Sequence, residues 1–194
     1  MDREERVIPR QKEKIRREGA FADAKARVID MGLTVCFTGH RAIPQEDRKW
    51  LAAATEKEIR RLIAAGADRF RAGGAYGFDT VAELKVLELR REFPGIRLEL
   101  ILPCRDQAAK WQFYDRLVYA RILERADSAE YVSEEYTPSC MLARDRELIR
   151  GCDFCVAYQR NNTGGTAYTV RNAEAAGIPV IHLKADGLDK KSGT

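Results

Sequence analysis

The sequence predicts an α/β domain: a mainly parallel, Rossmann-like sheet with helices on both faces, plus an appended N-terminal charged helix. Three observations carry this reading. Short apolar, β-branched runs alternate with helix-period segments from Leu33 to Leu183. The turns between them are rich in Gly, Pro and Asn. The length of 194 residues, 45% of them hydrophobic, suits one domain with an appendage.

The elements follow in order. Residues 1–30 are a charged leader with scattered apolar residues such as Ile15, Phe21 and Val28, readable as a helix with a thin apolar face. Residues 31–184 hold the domain, and residues 185–194 read as a polar tail. Leu33 to Thr38 is a strand that turns at Gly39. Pro44 suits a first helical turn, and Leu51, Thr55, Ile59 and Leu62 then recur at helical spacing until Gly66. A strand at Phe70 to Ala72 leads into Gly73-Gly74. Phe78, Ala82, Val86 and Leu89 mark the next helical face, and Arg97 to Leu102 the next strand, halted by Pro103. Trp111, Tyr114, Val118 and Ile122 predict an amphipathic helix, with Gln107 one turn before Trp111 on it. A short strand follows at Glu130 to Ser133, a helix at Met141 to Arg150 and a strand at Phe154 to Tyr158. A helix at Thr166 to Ala176 and a strand at Ile178 to His182 complete the series. Repeated βαβ units imply right-handed crossovers and a sheet covered on both faces.

Composition narrows the function. No apolar run approaches the roughly 20 residues that span a bilayer. The charged start carries no apolar stretch, which argues against a secretory leader and for the cytoplasm. Thirty-four Lys and Arg against 30 Asp and Glu give a net charge of +4 with both signs interleaved, so the clustered basic stripe of an obligate nucleic-acid binder is missing. Five cysteines, an odd number, fit a reducing compartment. Cys152-Asp-Phe-Cys155 has metal spacing but no second ligand pair, so it reads as buried strand chemistry and no metal is expected.

In open parallel sheets ligands bind beyond the carboxyl ends of the strands. Three turns converge there: Thr38-Gly39-His40-Arg41, Gly73-Gly74-Ala75-Tyr76-Gly77-Phe78-Asp79, and Asn161 through Gly164-Gly165-Thr166. Glycine lets backbone N–H groups approach an anion, and a following helix adds its positive end. Gly39, Arg41, Gly73, Gly74, Gly77, Gly164, Gly165 and Thr166 are thus candidates to hold phosphate, with His40 beside them. A carboxylate accepts two hydrogen bonds from a diol, which makes Asp79 a ribose candidate as well as a helix-dipole partner. Gln107 and Trp111 lie near the same edge, Trp111 as core or as a stacking surface for a base.

The set Cys36-Phe-Thr-Gly-His-Arg41, Gly74-Ala-Tyr-Gly-Phe-Asp79, Pro103…Gln107…Trp111 and Gly164-Gly-Thr-Ala-Tyr-Thr-Val170 resembles the YpsA-like branch of the SLOG superfamily. That superfamily joins the SMF/DprA DNA-processing proteins to the LOG phosphoribohydrolases. The resemblance spans Leu33 to Leu183 and implies a Rossmann-like domain that binds a nucleotide-derived ligand at the three glycine turns. Met141-Leu-Ala-Arg144-Asp145 is similar to the LOG helix that carries a functional arginine and keeps it as Arg144. Where LOG enzymes place a glutamate, this chain has Thr169. N-glycosidic cleavage passes through an oxocarbenium-like state that a carboxylate stabilises. The first expectation is therefore a sensor-like binder of a nucleotide, with ADP-ribose, NAD or a nucleoside phosphate as ligand and no required cofactor. The alternatives are an N-glycosidase-type hydrolase using Asp79 and Arg144, and a single-strand nucleic-acid binder using Arg41, Arg144 and Trp111. A homo-oligomer is compatible with each.

Overall fold

The computed structural model describes residues 32–185; the expected helix over residues 1–30 and the tail from 186 to 194 lie outside the described residues. Among the described residues one sheet is built from β1 (Leu33–Gly39), β2 (Ala67–Ala72), β3 (Arg97–Leu102), β4 (Ser128–Tyr131), β5 (Phe154–Tyr158) and β6 (Val180–His182). The helices between them are α1 (Gln45–Ala64), α2 (Phe78–Leu89), α3 (Phe113–Arg125), α4 (Cys140–Ile149) and α5 (Gly164–Ala175). Strand order is β4-β3-β2-β1-β5-β6, and every pairing is parallel. The chain starts at the centre, winds outward to β4, then returns to the other side of β1. The topological switch point therefore lies between β1 and β5.

Period-two alternation assigns the faces. Val35 and Phe37 of β1, Leu98, Leu100 and Leu102 of β3, and Val156 and Tyr158 of β5 join the core under α1, α2 and α3. Cys36, Ile101 and Cys155 point the opposite way and pack with Leu148 and Ile149 of α4 and Ala173 of α5. Leu51, Thr55, Ile59 and Leu62 are the buried stripe of α1, as their spacing predicts. Gly66, at φ +102°, turns the chain out of α1, and its carbonyl accepts from Leu33 N–H at 3.0 Å. Phe37 stacks on Phe70 at 6.0 Å and meets Phe78 edge-on at 6.4 Å, which ties β1, β2 and α2 together.

Three expectations are corrected. The predicted strand at Glu130 to Ser133 runs instead over Ser128–Tyr131, because Leu100 and Leu102 set its register through partners Ala129 and Tyr131. Gln107 and Trp111 are not helical: residues 105–111 form turns, and α3 starts at Phe113. Tyr114 accordingly leaves the packed face and is 72% exposed, while Val118, Tyr119, Ile122 and Leu123 pack inward. The glycines at 164 and 165 belong to α5 rather than preceding it, so Gly165 and Thr166 lie in its first turn. Among the described residues no helix is long and apolar enough to cross a membrane.

Candidate functional site

Two glycines close the loops at the switch point. A Cβ on Gly39 would fall on the ring of Phe78, and one on Gly77 would fall on the backbone of Arg41. Gly77 also sits at φ +93°, a region L side chains rarely adopt. With these positions bare, the loop after β1 lies directly on the start of α2. Phe78 N–H donates to His40 O at 3.1 Å, and His40 N–H donates to Tyr158 O at 3.2 Å.

Beyond them opens a cavity of about 470 Å³. Gly39, His40 and Arg41 form one side, Gly165 and Thr166 of α5 a second, and Met141, Leu142 and Leu148 of α4 an apolar third. Asp79, Arg144 and Asp145 line it with buried charge. Arg144 Nη1 stands 3.6 Å from Asp79 Oδ2, and Arg144 Nε stands 3.1 Å from Asp145 Oδ1. The second contact is within ion-pair distance but off-axis, so Arg144 Nε is buried without a hydrogen-bond partner. His40 Nε2 is in the same condition. No side chain caps the N-terminus of α5, and Gly165 and Thr166 of its first turn line the cavity.

A fourth ionisable group lies behind this set. Glu83, one helical turn after Asp79, is 1% exposed and accepts from Gly74 N–H at 3.0 Å. Burial holds its carboxyl well above the usual range, and the neighbouring Asp79 pushes it further. Burial also raises Asp79, against the pull of Arg144, and raises Asp145 against Arg144 and the nearby Thr169 hydroxyl. His40 is lowered by burial and by the positive charge of Arg160, which favours the neutral ring.

The expected site residues thus divide. Gly39, His40, Arg41, Asp79, Arg144, Gly165 and Thr166 converge on one cavity. Gly73, Gly74, Gly77, Gln107, Trp111 and Gly164 stand outside its lining. The turn after β2 directs its donors inward: Gly74 N–H goes to Glu83, and Ala75 N–H to Asp79 at 3.4 Å. Gly73 is small because the Arg144 guanidinium occupies the space its Cβ would take. Gln107 Nε2 donates to Gly74 O at 3.3 Å. Trp111 packs edge-on against Tyr76 at 5.2 Å and Tyr119 at 5.4 Å, with Arg41 over the other aromatic partner, Tyr76, at 5.3 Å. Sequence reasoning missed Asp145 and Glu83. Both had a signal: Asp145 follows Arg144 in the quoted helix motif, and Glu83 shares a helix face with Asp79 at i+4.

Fold and cavity together define a doubly wound α/β domain with a polar pocket at its switch point. The family model described as the YspA SLOG family matches residues 35–179, and the chain belongs to that family. A UPF0398 protein of Bacillus pumilus is 26% identical over 144 residues, covering 72% of this chain and 77% of the relative. Another, from Halalkalibacterium halodurans, is 27% identical over 128 residues, with 64% and 68% covered. Among solved structures, DNA processing protein A from Helicobacter pylori, described for its single-stranded DNA binding mode, superposes with a TM-score of 0.59 at 22% identity. It covers 84% of this chain and 70% of its own. The Streptococcus pneumoniae DNA processing protein A gives 0.57 at 18% identity, covering 81% and 52%. At these identities the two structures speak to the fold.

Proposed function

We propose that this protein binds a nucleotide or nucleotide-derived small molecule in the switch-point cavity and acts as a sensor-like binder. The observation that carries the reading is one polar cavity that gathers Arg41, Asp79, Arg144 and Asp145 around His40, whose Nε2 is buried without a hydrogen-bond partner. Buried polar atoms are nearly always hydrogen-bonded, so an orphan beside converging charges calls for a ligand. The uncapped first turn of α5 and Arg41 suit phosphate. Asp79 and Asp145 suit ribose hydroxyls, and Met141 and Leu142 offer an apolar seat for a base. Membership of the SLOG family supports the same class of ligand.

A thermal-shift panel of AMP, ADP, ADP-ribose and NAD tests this. At about 100 times its dissociation constant a ligand adds roughly 2.7 kcal/mol to native stability. At least one member should raise Tm, and Gly165→Asp should abolish the rise while the unliganded protein stays folded. A panel with no stabiliser rejects the proposal.

One observation favours a second reading. Asp145 lies beside Thr169, so a carboxylate reaches from α4 the neighbourhood of the side chain at position 169 on α5. An N-glycosidase-type hydrolase would use it with Asp79 and Arg144. Release of free base from nucleoside monophosphates at enzyme-like rates, lost in Asp145→Asn, would establish that reading over the first.

A further inference from the structure

A second, more open cleft of about 650 Å³ adjoins the cavity and shares His40 and Arg41 with it. Its charge balance differs. The cavity is lined by two carboxylates, Asp79 and Asp145, and two guanidinium groups, Arg41 and Arg144, whereas the cleft is lined by Arg41, Arg48 and Arg160 and by no carboxylate. Arg160 is held in place by Asp47, at 2.8 Å from Nη1 to Oδ2, and Asp47 is itself fixed by Tyr158 OH and Trp50 Nε1. Arg41 is stacked over Tyr76 and makes no ion pair within 4.0 Å among the described residues. Arg48 makes no ion pair among the described residues, although it sits in the first turn of α1, where a cation opposes the helix dipole. The Asp47 clasp accounts for Arg160, but folding gives no reason to set Arg41 and Arg48 beside it around one cleft. An anion that enters it does.

We propose that this cleft is a second anion subsite, so that the preferred ligand carries at least two phosphates: a nucleoside diphosphate or a diphosphate-bridged nucleotide rather than a monophosphate. The inference rests on the nucleotide reading above and deepens it. The nucleoside half occupies the carboxylate-lined cavity, the first phosphate meets Arg41 and the start of α5, and the distal phosphate lies between Arg48 and Arg160. His40, shared by both spaces and carrying a buried unpartnered Nε2, stands at the junction.

Calorimetric titration of the full chain with AMP, ADP and inorganic pyrophosphate tests the assignment, using wild type, Arg48→Glu and Arg48→Lys. Glutamate is favourable at a helix N-terminus, so the reversal leaves α1 intact. Wild type should bind ADP at least tenfold more tightly than AMP. R48E should lose about tenfold for ADP and leave AMP within twofold, and R48K should recover most of the loss. Equal affinity for AMP and ADP in wild type, or equal weakening of both in R48E, overturns the subsite while leaving the nucleotide reading standing. Pyrophosphate binding that R48E abolishes, with neither nucleotide bound, supports the anion cleft and rejects the nucleotide reading instead. Tight binding of a single-stranded oligo-dT that R48E abolishes, with no preference for ADP over AMP, would make the cleft a strand path and overturn the proposal.

Discussion

Gly73 and Glu83 govern the buried charges from outside the cavity. Arg144 is the shared counter-ion of Asp79 and Asp145, and its guanidinium lies where a Gly73 side chain would begin. Gly73→Ala should therefore expel Arg144 and leave two buried carboxylates without it. Breaking such a set costs about 3–5 kcal/mol, a loss that chemical denaturation would read directly. Gly165→Ala is the contrasting case, because its Cβ would rest 3.6 Å from Asp145 Oδ2, an ordinary contact. It should stay within about 1 kcal/mol of wild type. Glu83 makes a pH prediction. Its folded pKa is raised by burial, so the folded state keeps a proton that the unfolded chain has released. That contribution to stability is full below the unfolded value and is lost as pH rises through the folded one. Glu83→Gln keeps an acceptor for Gly74 N–H and cannot ionise. Its stability relative to wild type should grow with rising pH, by about 1.4 kcal/mol for each unit of the raised pKa. Urea denaturation of both proteins between pH 5 and pH 8 measures the gap; a constant difference would contradict the argument.

At the scale of elements, α1 is fastened to β5 by one carboxylate. Asp47, in the first turn of α1, accepts from Trp50 Nε1 at 3.0 Å, Tyr158 OH at 2.5 Å and Arg160 Nη1 at 2.8 Å. These donors hold its pKa below the usual carboxylate range, Tyr158 most of all. Tyr158→Phe removes one donor and keeps the ring, which packs against Trp50 and Phe78. A loss of about 1 kcal/mol is expected, visible as a lowered Tm. The same clasp orients Arg160 beside the second cleft, so Tyr158→Phe should also weaken ADP binding more than AMP binding. The start of α3 shows the limit of periodicity. Trp111, Tyr114, Val118 and Ile122 have helical spacing, yet the Trp111 ring is drawn away to Tyr76 and Tyr119. Tyr114, the next residue of the stripe, is left 72% exposed, so helical spacing of apolar residues fixes neither a helix nor the burial of each member.

Over the whole molecule, all six strands of the described sheet fall between Leu33 and His182. A chain beginning at residue 29 should therefore keep a cooperative unfolding transition and the nucleotide-induced rise in Tm. A broad, non-cooperative melt would show that the leader belongs to the core. The doubly wound order also explains why the polar residues gather where they do. Chain direction reverses its winding at β1, so the loops after β1 and β5 diverge and leave space between them. The motifs Gly39-His40-Arg41 and Gly165-Thr166 are the two sides of that gap.

Local pattern was enough for much of this. Alternating runs such as Leu33 to Thr38 and Arg97 to Leu102 named the strands, because a buried parallel strand needs a continuous apolar stretch whatever its neighbours are. The same strands, read with their turns, placed the edge where Gly39, Arg41, Gly165 and Thr166 converge. What sequence could not order was the division of labour among the glycines. Gly73 and Gly165 look alike in a string, and both open toward the ligand edge. Only the packed fold sets Arg144 against one and leaves the other open to the cavity, because that outcome depends on where α4 crosses the sheet. Glu83 and Asp145 were hidden for the same reason: a carboxylate on a helix reads as solvated surface until the neighbouring elements bury it. Periodicity is a property of nearest neighbours along the chain and survives in the sequence, whereas burial of charge is set by residues tens of positions apart and is decided by the tertiary structure alone.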